Sequence, residues 1–421
     1  MATPIYVFED SQYDRLFPLT MSRPACLLRC GALTLLERMT RAVGGEIAGV
    51  LMRDPLAGVW RNKLGVAVNP AVSTKEGVIL VNGRWLALGG KWERPAADMA
   101  GLVQGAVAWV HLSAKAAGEV DFSKMIESRT LEALLPELQR NRAEATLIGR
   151  PWELLGHQDA ALREDFAHFG AGNEATVMPG AHLLGADKIH LARRVKVWPG
   201  VVLDAQAGPI MVEEGTEIRA NAVVTGPVHI GKNCLVRPGA DVRELCSFGP
   251  GARVGGEVMH SIFLGNANKQ HYGFLGQSIV GEWANLGAGT TTSNLKNTYG
   301  TVRVRINGME EDSGLQFLGS VIGDHAKLGI GTYLSTGSVV GFGSHVITPR
   351  PPKFVPSFAW VTGGGGEGVG GTTRMDFGKL EAIAKTVMHR RGVEWGPADH
   401  ELFVRIAGEY AAAEKFDWTG K

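Results

Sequence analysis

Apolar residues recur at every sixth position through the second half of the chain. From Val212 to Val254, eight successive positions at this interval are Val, Ile or Phe. The interval returns in three more stretches, at 189–201, 274–286 and 322–346. In such a repeat, each six-residue segment forms one side of a triangular coil, and its apolar residue points into the shaft. The pattern therefore predicts a parallel β-helix, with loops leaving the coils near 203–211 and 294–315.

The first part of the chain carries a different pattern, in which strand and helix signals alternate. Short apolar runs predict strands at 4–8, 77–81 and 107–112. Helical patterns predict helices at 34–39, 121–142 and 152–169. Strands that alternate with helices are typical of an α/β domain with a largely parallel sheet.

The last part of the chain combines a glycine-rich stretch with two amphipathic patterns. Residues 363–371 lack the Lys-Ser/Thr pair of a phosphate-binding loop, so we expect a flexible loop there. Apolar positions from Leu380 to Met388 fit one face of a helix, and Leu402 and Ile406 indicate a second helix. We expect both helices to pack against the β-helix or a neighbouring subunit. The predicted domains are 1–175, 176–348 and 349–421.

Composition narrows the classes of function. The net charge is +1, with 43 basic and 42 acidic residues, so nothing favours nucleic-acid binding through a basic field. No apolar run approaches the roughly 18 residues of a membrane span, and we expect neither membrane insertion nor a signal peptide. The four cysteines lack metal-ligand or redox spacing, so we expect buried thiols in a cytoplasmic protein.

Four motifs in the β-helix region carry candidate chemistry. They are VRPGADV with Arg237, KQHYGFLG with His271, NLGAGTTTSN ending at Asn294, and FLGSVIG with Ser320. An amine that attacks a thioester must lose a proton, and a neutral imidazole is a suitable base near pH 7. A guanidinium can bind a sugar phosphate through two hydrogen bonds.

This ordered series resembles the acetyltransferase half of the bifunctional bacterial enzymes that make UDP-N-acetylglucosamine. The resemblance covers about residues 225–347, and it implies a left-handed β-helix, a homotrimer and acetyl-CoA as acyl donor. It places the general base at His271, the phosphate contact at Arg237 and an amide contact to sugar or acyl carrier at Asn294. Ser320 would contact the acyl carrier. Phe274 stands where the family has a tyrosine, which removes one hydroxyl from the substrate site.

Each of these residues also has an ordinary structural interpretation. Arg237 precedes Pro-Gly and can decorate a coil corner, while Asn294 can cap a turn. His260 and His325 are further histidines in the same region. The resemblance therefore supports the reaction class more firmly than the identity of the sugar.

The opening segment carries a second resemblance. Residues 15–24, RLFPLTMSRP, and the GALTLLER that begins at Gly31 are similar to the start of sugar-phosphate nucleotidylyltransferases. In that family a nucleoside triphosphate and Mg²⁺ bind beside this segment. The resemblance implies that Arg15, Arg23 and Arg29 neutralise the phosphates. It also places Asn82, at the end of a strand, beside the nucleotide.

Three chemical parts of that family are replaced here. Acidic residues including Glu9, Asp10 and Asp14 stand in place of the glycine-rich loop, and Ala25 replaces a lysine. Asn82 stands where the family has its metal-binding aspartate. The acidic residues would repel phosphates unless they hold a divalent ion, and Asp10 is the candidate ligand.

Three functions remain open from the sequence. The first is a two-step enzyme of nucleotide-sugar synthesis, with acyl transfer on the β-helix and nucleotidyl transfer in the first domain. The second is an acyltransferase whose first domain is not catalytic. The third is a nucleotidylyltransferase whose β-helix serves only for assembly.

Overall fold

A computed structural model of the protein describes residues 3–122, 138–363 and 371–418. A mixed α/β domain comes first, a three-faced parallel β-helix follows, and C-terminal helices pack against both. Most of the predicted loop at 363–371 and most of the predicted helix at 121–142 lie outside the described residues. Among the described helices, none is both long and apolar enough to cross a membrane.

The first domain is built on a six-stranded sheet. Its strands lie in the spatial order Ile47–Leu51, Ile5–Phe8, Val78–Asn82, Ala106–Leu112, Met99–Val103 and Gln139–Arg142. The predicted strands at 4–8, 77–81 and 107–112 are thus confirmed. The sheet is largely parallel, as predicted, and only Ala106–Leu112 runs antiparallel, to both of its neighbours.

Short helices surround this sheet. Their bounds are Leu35–Val43, Asp54–Trp60, Ala114–Gly118, Glu153–Gly156 and Gln158–Phe169, with 3-10 turns at Ser11–Leu16 and Ala25–Leu27. A small hairpin joins Arg29–Cys30 to Leu33–Thr34. Helix Leu35–Val43 begins at a capping box, in which Thr34 and Glu37 bond each other's backbone N–H.

One predicted helix is corrected at its end. Residues Gln139–Arg142 form an edge strand parallel to Met99–Val103 instead of continuing a helix. The polar sequence QRNR carries no apolar alternation because its side chains are exposed. Pairing with the sheet, which a local pattern does not show, determines the conformation of this segment.

The β-helix has three faces, each a ladder of short strands. The first face contains Gly172–Asn173, Ile189–Leu191, Ile210–Val212, Val228–Ile230, Cys246–Phe248, Ile262–Phe263, Ile279–Val280, Ser320–Ile322, Ser338–Val340 and Phe354–Val355. The second contains Thr176–Val177, Lys196–Val197, Glu217–Ile218, Leu235–Val236, Arg253–Val254, Asn268–Lys269, Asn285–Leu286, Lys327–Leu328, His345–Val346, Ala359–Val361 and the antiparallel Thr372–Arg374. The third contains His182–Leu184, Val202–Asp204, Val223–Thr225, Asp241–Val242, Glu257–Met259 and Phe274–Gly276, and Thr291–Thr292 pairs separately with Tyr333–Leu334.

The sixfold repeat is confirmed as the interior of this β-helix. From Val212 to Val254, every position of the repeat is at most 1% exposed. The predicted loop at 294–315 does leave the coils, and it carries a β-hairpin of Arg303–Ile306 and Met309–Asp312. All four cysteines are free and buried, as expected, and burial raises the pKa of Cys234 to about 12.

The three faces of the β-helix have different surroundings. Outer residues of the first face, such as Ile262 and Val321, share one hydrophobic core with Leu19 and Met21 of the first domain. The C-terminal helices, Phe377–His389 and Pro397–Arg405, contribute to the same core. On the third face, by contrast, outward residues such as Val223 and Tyr333 are exposed.

Candidate functional site

His271 and Arg237 lie on one corner of the β-helix, where the second face turns into the third. The strands that precede them, Leu235–Val236 and Asn268–Lys269, lie two coils apart on the second face, with Arg253–Val254 between them. A Cβ at Gly255 would lie 3.1 Å from the Arg237 Cβ and 2.3 Å from the Gln270 carbonyl oxygen, so these corners are stacked directly. With a strand spacing of about 4.8 Å, Arg237 and His271 are separated by about 10 Å along the axis. Both side chains are exposed.

Phe274 and Asn294 meet on the third face, beyond His271. A Cβ at Gly276 would lie 2.4 Å from the Phe274 ring and 3.0 Å from Asn294 Nδ2, so only glycine allows this approach. Asn294 Nδ2 also donates a hydrogen bond of 2.6 Å to Gln277 Oε1. The structure therefore brings Phe274 and Asn294 together on the third face, while His271 lies on the corner that precedes this face.

Ser320 lies inside the wall behind Asn294. Its side chain is fully buried, and its backbone N–H donates to Ser278 Oγ at 2.9 Å. Nearby, the Leu318 N–H donates to the Asn294 carbonyl oxygen at 2.8 Å. Ser320 Oγ has no hydrogen-bond partner among the described residues. Ser320 is thus close in the fold to Asn294, but it is not on the surface that carries His271.

Lys269 is a residue of this corner that the sequence analysis missed. It pairs in register with Val254 and is fully buried, so it occupies an inward position that is apolar in the coil before it. Its Nζ donates to the carbonyl oxygens of Gly255, at 3.0 Å, and His271, at 2.5 Å. Burial lowers the pKa of Lys269 to about 8. A buried ammonium therefore fixes the backbone of the candidate base.

The other two histidines of the region have different environments. His260 Nε2 is 2.8 Å from the carbonyl oxygen of Leu155, so its imidazole joins the β-helix to the first domain. His325 is buried, and desolvation lowers its pKa well below the usual value of 6.5. Of the three, only His271 has its side chain exposed on the corner shared with Arg237.

In the first domain, the candidate metal ligand Asp10 is held in a buried ion pair. Both carboxylate oxygens accept hydrogen bonds from Arg84, at distances from 2.6 to 3.1 Å. Asn82 Nδ2 donates to the same carboxylate at 2.9 Å and to the Val107 carbonyl oxygen at 2.8 Å. The neighbouring acid, Glu9, pairs with Arg53 at 2.8 Å.

These pairs do not fit a divalent ion. The guanidinium of Arg84 occupies the side of Asp10 on which a cation would have to bind, and two positive charges cannot share it favourably. The described residues contain no group of three or more His, Cys, Asp or Glu side chains placed to hold a metal. We therefore derive no chemical step through Mg²⁺ at Asp10.

The three candidate phosphate-binding arginines lie in three different environments. Arg23 is buried and pairs with Asp324 and, at 3.2 Å, with Glu282 of the β-helix. Arg29 is also buried, and it donates to the carbonyl oxygen of Ala32. Arg15 is exposed on the turn Ser11–Leu16. The motif is present, but its arginines do not form one exposed cationic site.

Comparison with known proteins finds similarity over parts of the chain. Residues 5–174 match the sequence profile of a family described as sugar nucleotidyl transferase. A bifunctional sugar-1-phosphate nucleotidylyltransferase/acetyltransferase from Sulfurisphaera tokodaii is 31% identical over 140 residues, 32% of this chain and 34% of that protein. A bifunctional protein GlmU from Methanococcus aeolicus is 29% identical over 231 residues, 54% of this chain and 49% of that protein.

The chain thus spans only 34% and 49% of the length of these two curated relatives. Among solved structures, a UDP-N-acetylglucosamine acyltransferase from Campylobacter jejuni covers 55% of this chain and 96% of its own, at 10% identity and a TM-score of 0.22. A similarity this low supports no conclusion about the fold, so the β-helix is defined by the strand pairing described above.

The class that the comparisons support for part of the chain is a sugar nucleotidyl transferase domain, which residues 5–174 resemble and which a β-helix follows. More particularly, the chain is a distant relative, at about 30% identity, of the bifunctional sugar-1-phosphate nucleotidylyltransferase/acetyltransferase proteins, GlmU among them.

Proposed function

We propose that the β-helix transfers an acetyl group from acetyl-CoA to the amine of an amino-sugar-1-phosphate. The observation that carries the proposal is the corner on which His271 and Arg237 are both exposed, two coils apart. In the reaction, the amine nitrogen bonds to the thioester carbonyl carbon, and the carbon–sulfur bond breaks to release CoA as a thiolate. The imidazole of His271 takes the proton that the amine loses.

The remaining site residues would position the acceptor. Arg237 is exposed and forms no ion pair with the described residues, so its guanidinium is available for the sugar phosphate. The amide of Asn294, held by Gln277, would contact the sugar or the acyl carrier. The ring of Phe274 would offer an apolar surface next to it. Ser320 is buried behind Asn294, so it would act on the acyl carrier only indirectly, by supporting the segment that carries Asn294.

The first domain, in this proposal, supports assembly and does not transfer nucleotides. Its phosphate-binding motif is used internally, because Arg23 joins the β-helix and Asp10 is paired with Arg84. Nucleotidyl transfer from a nucleoside triphosphate, assisted by Mg²⁺, is the second candidate. The match of residues 5–174 to the sugar nucleotidyl transferase family favours it.

We also propose that the protein acts as a cytoplasmic homotrimer in nucleotide-sugar synthesis for the cell envelope. The third face carries exposed apolar side chains, including Val223 and Tyr333, and Tyr272 next to the candidate base is 74% exposed. Exposed apolar surface of this kind is typical of protein–protein contacts. A trimer in which third faces pack together would bury these residues and place the candidate sites between subunits. A monomer in light scattering at micromolar concentration would contradict it.

The decisive experiment measures both chemistries in one reaction. Purified protein is incubated with glucosamine-1-phosphate, acetyl-CoA, UTP and Mg²⁺, and CoA thiol and pyrophosphate are read separately. We expect CoA release without pyrophosphate. Pyrophosphate release would establish the second candidate, and the absence of CoA release with this and other amino-sugar phosphates would contradict the proposed acyl transfer.

The role of His271 is tested in the same assay. His271→Ala should lower the rate of CoA release by about a hundredfold or more, since general-base catalysis contributes 10²–10⁴. His182→Ala, an exposed histidine on the same face, is the matched control and should leave the rate unchanged. Equal rates in the two variants would assign the base elsewhere.

A further inference from the structure

A cavity of about 310 Å³ lies where the three parts of the chain meet. The first domain contributes Ser22, Arg23 and Trp60, and the β-helix contributes Trp283 and His325 among others. The C-terminal segment closes it with Trp395 and Phe403. A volume of this size is within the range of small-molecule sites. The cavity is separate from the corner that carries His271.

Aromatic rings form a continuous wall in this cavity. The rings of Trp283 and His325 are stacked, with centroids 6.2 Å apart and planes inclined by 23°. Phe403 contacts His325 edge-on at 5.2 Å, and Trp395 contacts Phe403 at 4.7 Å. Trp60, on the first domain, is held by a 2.9 Å hydrogen bond from its Nε1 to the Ser22 carbonyl oxygen. Flat apolar surfaces thus come from all three parts of the chain.

The carboxylates of the cavity already have partners. Arg23 pairs with Asp324 and Glu282, and the second oxygen of Glu282 accepts from Asn266 at 3.3 Å. Asp399 accepts from Lys63 at 3.4 Å and from the Gly396 N–H at 2.8 Å. These mutual pairs leave no acid that needs a cationic ligand. They also leave no strong site for a phosphate.

Two buried polar atoms on the lining residues have no partner among the described residues. One is Nδ1 of His325, whose residue is 6% exposed, and the other is Nε of Arg23, whose residue is 4% exposed. Desolvation by burial lowers the pKa of His325, and the charges of Lys327 and Arg23 add to this, so the imidazole is neutral near pH 7. An unpaired buried polar atom is unfavourable, and a ligand with matching hydrogen-bonding groups would relieve that cost.

We propose that this cavity binds an uncharged planar heterocycle, the base of a nucleoside. The ring of the base would stack on the aromatic wall, and a carbonyl group of the base would accept a hydrogen bond from Arg23 Nε. A ring N–H or nitrogen would pair with His325 Nδ1. Stacking of a base on an aromatic side chain is favourable by itself, because every base has a flat aromatic surface. Because the wall comes from three parts of the chain, binding would join them more firmly.

The test uses uridine and adenosine with the full-length protein, by calorimetric titration and by quenching of tryptophan fluorescence. We expect saturable binding with a dissociation constant below about 1 mM and a raised melting temperature. Trp60→Leu and Trp395→Leu, which change two different parts of the chain, should each weaken binding about tenfold or more. Using both variants keeps the test valid if one of them fails to fold.

Trp360→Leu is the matched control. Trp360 also stacks on a histidine, His345, at 5.7 Å and 26°, but it does not line this cavity. It should leave the affinity unchanged. The proposal is overturned if neither nucleoside binds by about 5 mM, if both cavity variants bind as the wild type does, or if UTP binds and uridine does not. None of these readouts depends on acyl transfer, so the two proposals fail separately.

Discussion

The two candidate sites use arginine in opposite ways. In the first domain, Arg23 of the SRP sequence is 4% exposed and its guanidinium pairs with two carboxylates of the β-helix. On the β-helix, Arg237 precedes a Pro-Gly turn, is exposed and forms no ion pair with the described residues. Both residues were predicted to bind a phosphate. Only Arg237 has a guanidinium that a phosphate can reach.

The difference shows that a motif specifies a position more reliably than a role. A buried guanidinium must be paired, because an isolated charge in the protein interior is strongly unfavourable. Once Asp324 and Glu282 supply that pairing, the arginine stabilises the domain contact. An arginine on an exposed corner has no such requirement and remains available to a ligand. Four changes test this contrast, from the largest expected effect to the smallest.

Removing the buried arginine should affect stability most. Arg23→Ala leaves Asp324 buried without its cation, so we expect the free energy of unfolding to fall by about 3–5 kcal/mol. Urea denaturation followed by circular dichroism measures this. Arg193→Ala is the control. The Arg193 side chain is 72% exposed and pairs with Glu214, so its loss should lower the free energy of unfolding by less than about 1 kcal/mol. Equal stability of the two variants would contradict a structural role for Arg23.

A buried acid that forms no ion pair with the described residues should behave in the opposite sense. Glu414 is buried and accepts two hydrogen bonds of 2.7 Å from Ser357, and desolvation raises its pKa from 4.5 to about 7. Between these values the folded protein holds the proton more tightly than the unfolded chain. Stability therefore falls as pH rises through this window, and the loss is complete above it.

Glu414→Gln removes that loss. At pH 8 the variant should be more stable than the wild type by about 3 kcal/mol, and near pH 4.5 the two should be similar. Thermal denaturation at several pH values measures the difference. A variant that loses stability equally at both pH values would show that Glu414 is ionised at no cost.

The exposed arginine should affect binding without affecting stability. Arg237→Ala should lower kcat/KM for the amino-sugar phosphate by about 10- to 100-fold, the value of one or two charged hydrogen bonds. With glucosamine as acceptor, which lacks the phosphate, the variant and the wild type should be equal. Arg243→Ala, a half-buried arginine paired with Glu257, is the matched control. A similar loss with both acceptors would exclude phosphate recognition.

The smallest effect is expected from the lysine that fixes the candidate base. Lys269→Met keeps the length of the side chain and removes the hydrogen bonds to Gly255 and His271, so kcat should fall about tenfold with little change in KM. Lys327→Met is the control, because Lys327 is a half-buried lysine that donates to the Trp283 carbonyl oxygen instead. If both variants lose activity equally, Lys269 only supports the fold.

The β-helix could be predicted from the sequence because its period is local and most coils repeat it. Arg237 and His271 were identified by their motifs and by a resemblance, and that the two share one corner was seen only in the structure. The pair of Arg23 with Asp324 could not be predicted, since the two residues are 301 positions apart. Lys269 was missed because the second-face position moves by 15 residues from Val254 to Lys269, compared with 18 from Val236 to Val254. Because this coil is shorter, Lys269 does not fall on a position that the sixfold repeat marks as inward.

The shared core under the first face has a consequence for how the chain folds. Residues from the first domain, from the β-helix coils and from the C-terminal helices complete one another's apolar surface. None of these parts is expected to be an autonomous folding unit, although each has a distinct architecture. Thermal unfolding should therefore be a single cooperative transition. A β-helix produced without the first domain and the C-terminal helices would expose Ile262, Val321 and Phe342, and we expect it to aggregate. In this protein, therefore, a boundary between folds is not a boundary between cooperative units.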